Sequence, residues 1–253
     1  MAARIGTAAA LIAALLAALF LLPKLWFAAL VVVIVALAGF EWARLCRIAG
    51  AAAWAYAGVM ALAFVGIYNT DPRYAFAAAS VFWIVVVPLW LWRGVQGRAL
   101  AVAGFVVVPP AALAFAIMDP REVLLILLLV WIADTAAYFV GRAWGRHKLA
   151  PQISPGKTWE GAIGGAAGVL VYAIILGTFI ERLFWVPYLL ATALLAVLSI
   201  VGDLFESAAK RQAAVKDSGT LLPGHGGVLD RIDSATAALP AAALLWPYVR
   251  TLA

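Results

Sequence analysis

The sequence predicts an all-α fold, a polytopic membrane helix bundle of about nine transmembrane helices. Two observations lead there. The chain of 253 residues is 67% hydrophobic and 12% charged, whereas soluble domains carry about 25% charged residues. Its apolar residues fall in long runs near the roughly 20 residues a helix needs to cross the hydrocarbon, without the alternation of a membrane barrel. Backbone groups in lipid must bond within their own segment, so these runs are expected to be helices.

The expected spans are 5–22, 24–42, 51–68, 74–92, 99–117, 121–141, 158–180, 184–206 and 231–250. The first, after Arg4, has the look of a signal peptide. Many spans follow it and Pro23-Lys24 leads directly into the next, so it is read as a retained helix. The tight turn at Pro23 allows the first two segments to form a hairpin rather than two full crossings. Asp71-Pro72 and Asp119-Pro120 each pair an N-cap carboxylate with proline at the first helical position. Pro109-Pro110 is expected to kink or break the fifth helix. In the seventh, Gly161, Gly164, Gly165 and Gly168 give overlapping GxxxG spacings, the mark of close helix packing. The eleven tryptophans are expected mainly as interfacial anchors, and Glu41-Trp42 as a helix-end anchor with Arg44. Cys46 is the single cysteine, which excludes an intramolecular disulfide and suits a small apolar filler. The sequence divides into N-terminal membrane helices, 1–120, and C-terminal membrane helices carrying the site, 121–253, in one integrated membrane domain. It has no clear internal repeat, and so no support for an inverted-repeat transporter.

Net charge is +6, but the cations sit in short loops between apolar runs, so topology and anionic ligands explain them better than nucleic acid. Thirteen of the eighteen Lys and Arg residues fall on one side: Arg4, Arg44, Arg47, Arg93, Arg98, Arg142, Arg146, Lys148, Lys157, Lys210, Arg211, Lys216 and Arg231. By the positive-inside rule that side is cytoplasmic. A multi-pass protein of the cell membrane follows, its polar stretches 142–157 and 207–230 facing the cytoplasm.

The polar chemistry is concentrated in those stretches. In "VGDLFESAAKR", Asp203, Glu206, Ser207 and Lys210 share one helix face. In "GGVLDRIDS", Asp230, Asp233 and Ser234 share another. Carboxylates converging from two helices are costly unless cations join them, and Mg²⁺ takes one or two carboxylates plus substrate phosphates. Asp203 and Asp230 are therefore the leading metal-ligand candidates, with Asp233 third. Between them lies "KDSGTLLPGHGGVLDR". Gly224, Gly226 and Gly227 permit close backbone approach to a ligand, with N–H groups free to face phosphate. His225 is a phosphate donor or a turn cap, and Lys210, Arg211, Lys216 and Arg231 supply positive charge for a polyanion. "SPGKTWEG" imitates a P-loop, but position 151 is proline where that motif needs glycine, and a membrane helix follows. Lys157 and Thr158 remain candidates for an anion at a helix entrance. Asp134, an acid inside a membrane segment, is expected to face a polar cavity and mark function.

The run from Ser207 resembles the signature of the phosphatidate cytidylyltransferases (CDP-diacylglycerol synthases). The matching elements are Ser207, Lys210-Arg211, Lys216-Asp217, Pro223 to Gly227, and Asp230-Arg231 with Asp233. Gly202-Asp203, "SPGKTWEG" and "DTAAYFVGR" are also similar, so the resemblance covers about residues 130–235. It implies that phosphatidate and CTP give CDP-diacylglycerol and pyrophosphate, with Mg²⁺ and room for a second cation. On that reading Asp203, Asp230, Lys210 and Asp233 are catalytic. Asp134, Arg142, Lys157, Ser207, Arg211, Lys216, Asp217, His225, Gly226, Gly227 and Arg231 bind substrate. Membrane lipid is a partner, a homodimer is a candidate assembly, and nucleic acid is not a partner. Two rivals remain: a CTP-dependent lipid kinase, and an ion-coupled membrane transporter motivated by Asp134.

Overall fold

The computed structural model describes residues 2–94, 98–181, 183–221 and 226–249. Its helices are α1 (Ala2–Leu21), α2 (Lys24–Leu45), α3 (Ala51–Tyr68), α4 (Pro72–Arg93), α5 (Ala99–Ile117), α6 (Pro120–Trp144), α7 (Trp159–Gly177), α8 (Trp185–Gln212) and α9 (Leu229–Val249). Each of the nine stretches overlaps one of these helices. Among the described residues, α2 to α8 are long and apolar enough to cross a membrane by length and composition. The chain is thus an all-α, multi-span membrane protein. A short antiparallel hairpin, β1 (Lys148–Ala150) and β2 (Ser154–Thr158), pairs Lys148 with Thr158 and Ala150 with Ser154 between α6 and α7.

The helix starts follow the expected chemistry. Asp71 accepts a hydrogen bond from the Arg73 N–H at 3.0 Å and Asp119 from the Arg121 N–H at 2.8 Å, with proline at the first helical position of α4 and α6. Pro109 and Pro110 do not break α5, which is helical from Ala99 to Ile117 with both prolines buried. In a membrane bundle, neighbouring helices support a proline-containing segment that would fray in water. α4 departs from regularity instead: Phe82–Val86 form a π-helical turn just before Pro88. Proline has no N–H to donate back to the preceding turn, and a widened turn accommodates that loss.

For helices that cross in alternation, exposed aromatics gather at both ends. Trp54, Trp92, Trp144 and Trp159 mark one level, and Trp26, Tyr68, Tyr74, Phe179, Trp185 and Tyr248 the other, as interfacial belts do. Trp42 and Trp83 depart from the expected anchoring role, because both are fully buried. Trp42 donates its indole N–H to the Leu100 carbonyl at 2.8 Å. Phe205 packs against Trp42, Phe82, Trp83 and Trp90 with ring centroids 5.5–6.2 Å away, joining α2 and α4 to α8.

Two close helix pairs carry the site. α7 lies on α6 through its glycine stripe: a β-carbon on Gly161 would sit 2.8 Å from the Ala137 carbonyl oxygen, and one on Gly165 2.8 Å from that of Ala133. α9 lies on α8 at Gly202, where a β-carbon would stand 2.6 Å from the Asp233 carbonyl oxygen. That contact brings the first turn of α9 alongside Asp203.

Candidate active site

Between α6, the hairpin, α7 and α8 lies a cavity of about 520 Å³, within the usual range of about 300–1,000 Å³ for ligand sites. Asp134, Tyr138 and Arg142 project into it from successive turns of α6, with Ser154, Lys157 and Thr158 from the hairpin strand and Asp203 from α8. Lys157 Nζ stands 2.6 Å from Asp203 Oδ2, the two side chains 24% and 27% exposed. Ser207 Oγ donates to the other Asp203 oxygen at 3.2 Å. Arg142 donates to the Tyr138 hydroxyl at 3.0 Å. Thr158 caps α7, its hydroxyl oxygen accepting from the Gly161 N–H at 3.1 Å. The segment is a strand followed by a capped membrane helix, with no phosphate-wrapping loop between them.

Beside this cavity the start of α9 is held by a knot of buried charge. Lys210 Nζ lies 2.7 Å from Asp230 Oδ1 and 3.1 Å from Glu206 Oε1, all three side chains close to buried. Asp230 Oδ2 accepts from the Ser218 N–H at 2.9 Å and the Gly227 N–H at 2.8 Å, and lies 3.0 Å from the Ser218 hydroxyl oxygen. These contacts revise two expectations. Lys210 is neutralised by carboxylates and does not line the cavity. The Gly227 N–H is donated inward to Asp230 rather than left for a phosphate. Gly226 adopts φ +80°, a conformation glycine supplies readily, and a β-carbon there would lie 2.5 Å from Asp230 Oδ2.

A residue expected only as a helix-end anchor closes the knot. Glu41, 4% exposed, accepts from the Ser218 hydroxyl, the Val228 N–H and the Leu229 N–H, each at 2.9 Å. Its position at the end of an apolar run beside Trp42 was the available signal, since a carboxylate buried there needs partners. Those partners lie 177 to 188 residues away.

The donor set fits a divalent cation in part. Among the described residues no three His, Cys, Asp or Glu side chains form a ready cation cage, so Asp203, Asp230 and Asp233 are not gathered as one ligand set. Asp203 faces the open cavity, and Asp134 and Asp233 lie near enough for their charges to interact with it. One or two carboxylates completed by substrate phosphates is the usual Mg²⁺ arrangement. A cation at Asp230 would have to replace contacts that this carboxylate already makes.

Arg211, Lys216, Asp217 and Arg231 do not line the cavity. Arg211 donates to the Ile153 carbonyl at 3.2 Å and to the Val215 carbonyl at 3.3 Å, a second tie between α8 and the hairpin. Lys216, Asp217 and Arg231 are exposed. His225 and Gly224 lie outside the described residues.

The sequence of this chain matches known proteins over nearly its whole length. The profile described as the cytidylyltransferase family matches residues 2–249. A phosphatidate cytidylyltransferase of Pseudomonas aeruginosa is 41% identical over 269 aligned positions, covering 96% of both chains. One of Brucella suis is 44% identical over 172 positions, 64% of this chain and 60% of that one. One of Haemophilus influenzae is 50% identical over 131 positions, 48% of this chain and 46% of that one. On the profile match and the near-complete alignment, the chain belongs to the cytidylyltransferase family.

Proposed function

We propose that the chain transfers CMP from CTP to phosphatidate, giving CDP-diacylglycerol and pyrophosphate. The observation that carries this reading is the near-complete alignment with a phosphatidate cytidylyltransferase, and the cavity lined by Arg142, Lys157 and Asp203 supplies chemistry suited to it. A phosphate oxygen of phosphatidate attacks the α-phosphorus of CTP, and the bond from that phosphorus to the β-phosphate oxygen breaks. The second pKa of a phosphate monoester is about 6, so the nucleophile is already largely dianionic at neutral pH and needs no strong general base. The protein then acts by positioning and charge neutralisation during in-line displacement.

Arg142, oriented by Tyr138, and Lys157 are the cavity cations for substrate phosphates. An arriving phosphate competes with Asp203 for Lys157 and frees that carboxylate. Mg²⁺ would be held by Asp203 with Asp233, and by Asp230 after it exchanges Lys210. When bound it would neutralise developing charge on the triphosphate. Arg211, Lys216 and Arg231, all exposed, would attract the water-soluble triphosphate as it approaches. Acyl chains would lie along the apolar walls near Ala137 and Ile200. Purified protein given labelled CTP, phosphatidate and Mg²⁺ is expected to release CDP-lipid and pyrophosphate. A phosphorylated lipid with free CDP would instead establish a lipid kinase, and ion flux without nucleotide turnover a transporter.

The nine helices are proposed to cross the membrane, with the hairpin and the 213–228 segment in the cytoplasm. A reporter cysteine belongs at Lys216, which is exposed. Ser218 is unsuitable, because it is buried between Glu41 and Asp230. The background is Cys46→Ala, whose native thiol burial pushes up to about 11. An impermeant thiol reagent is expected to label the Lys216→Cys variant only after permeabilisation. Labelling of intact cells would invert the topology.

A further inference from the structure

Within that proposed reaction, we propose that Glu41 is a positioning residue, holding the first turn of α9 and its two aspartates in the reactive arrangement from the N-terminal half of the chain.

The first N–H groups of a helix have no partner inside the helix, and a negative charge there is favoured by the helix dipole. α9 has such a start at Leu229, with Asp230 next and Asp233 one turn on. Its acceptor comes from another helix. The Glu41 carboxylate takes the Val228 and Leu229 N–H groups, one on each oxygen, and the Ser218 hydroxyl on the second. Ser218 in turn holds Asp230 through its main-chain N–H. A single buried carboxylate therefore joins Ser218, within the segment between α8 and α9, and the start of α9 to the end of α2.

Two glycines follow from this contact. A β-carbon on Gly219 would lie 2.5 Å from Glu41 Oε1 and 2.9 Å from its carboxyl carbon. One on Gly227 would collide with both Glu41 oxygens and with the Ser218 hydroxyl. These backbones approach a carboxylate so closely that a side chain has no room. Gly227 of the PGHGG run thereby gains a physical role distinct from cradling a triphosphate.

Glu41 touches the loop and the helix start, so its effect is expected in the rate of the step rather than in binding. Replacing Glu41 by Gln keeps its shape but presents an amide donor to N–H donors. The Glu41→Gln variant is expected to lower kcat about 10- to 100-fold, the usual cost of losing a supporting shell, with both KM values and the melting temperature little changed. Hydrogen exchange is expected to rise at the Val228 and Leu229 amides and stay unchanged in α8. Glu41→Asp, which keeps the charge one methylene short, is expected to recover much of the rate, and it carries the test if the Gln variant does not fold. A double-mutant cycle adds an independent arm: Gly219→Ala is expected to be harmful beside Glu41 and close to neutral beside Glu41→Ala. Wild-type kcat in Glu41→Gln, a fall in kcat matched by the fall in folded protein, or additive effects of the Gly219 and Glu41 substitutions each overturn the proposal. Absence of CDP-lipid from the wild-type protein in the same assay overturns the reaction instead, and the exchange measurement still decides on Glu41.

Discussion

Asp203→Asn is expected to cut turnover by about 10²- to 10³-fold, the scale of removing one preorganised electrostatic group from a reacting centre, while the protein keeps its melting temperature. The expectation rests on where Asp203 sits. It is the only α8 carboxylate on the cavity wall among the described residues, faces Lys157 at 2.6 Å, and has Asp134 and Asp233 within electrostatic reach. The amide has nearly the same size, so packing at Gly202 and along α8 is preserved. It lacks the charge that balances Lys157 before substrate arrives and that would hold a divalent cation afterwards. The check is kcat across a Mg²⁺ titration, with thermal unfolding measured in the same detergent. A variant within a few-fold of wild type at saturating Mg²⁺ would remove Asp203 from the reaction.

Lys210→Met is expected to act on the fold first and on catalysis through it. The lysine lies between Glu206 and Asp230, with side chains 11%, 5% and 6% exposed. Removing it leaves two buried carboxylates facing one another. Breaking a buried pair on one side costs about 3–5 kcal/mol, a large share of a typical total of about 5–15 kcal/mol. The single variant is therefore expected to accumulate poorly or melt well below wild type. Adding Glu206→Gln removes one of the stranded charges and is expected to restore much of the melting temperature. Turnover is expected to stay low in the double variant, because Asp230 lacks the lysine that orients it before Mg²⁺ and substrate arrive. If Lys210→Met melts and turns over like the wild type, the charge knot has no role in either. If the double variant recovers activity together with stability, Lys210 is structural only.

The sequence by itself determined the medium, the helices and much of the chemistry. Apolar runs of bilayer length left the backbone no alternative to helices, and the two Asp-Pro pairs marked the starts of α4 and α6 through local capping, which acts within a few residues. The glycine stripe of α7 declared a close contact because only hydrogen fits there. Asp134, Arg142, Lys157 and Asp203 were legible as charges too costly to be incidental in such a chain, and the structure brings these four to one cavity wall.

Tertiary structure alone decided which charges face that cavity and which neutralise each other. Lys210 and Lys157 look alike in sequence, yet one is enclosed by Glu206 and Asp230 and the other meets Asp203 at the open wall. Spacing along a helix specifies a face, but the occupant opposite depends on how helices distant in sequence cross. For the same reason Glu41 passed as a helix-end anchor: its donors lie more than 170 residues away. Pro109 and Pro110 remain inside an unbroken helix because neighbouring helices support it, whereas the local rule that breaks helices assumes water. Local rules could predict the elements, because their bonds close within a few residues; the site depends on long-range contacts that exist only once α2, α8 and α9 have packed.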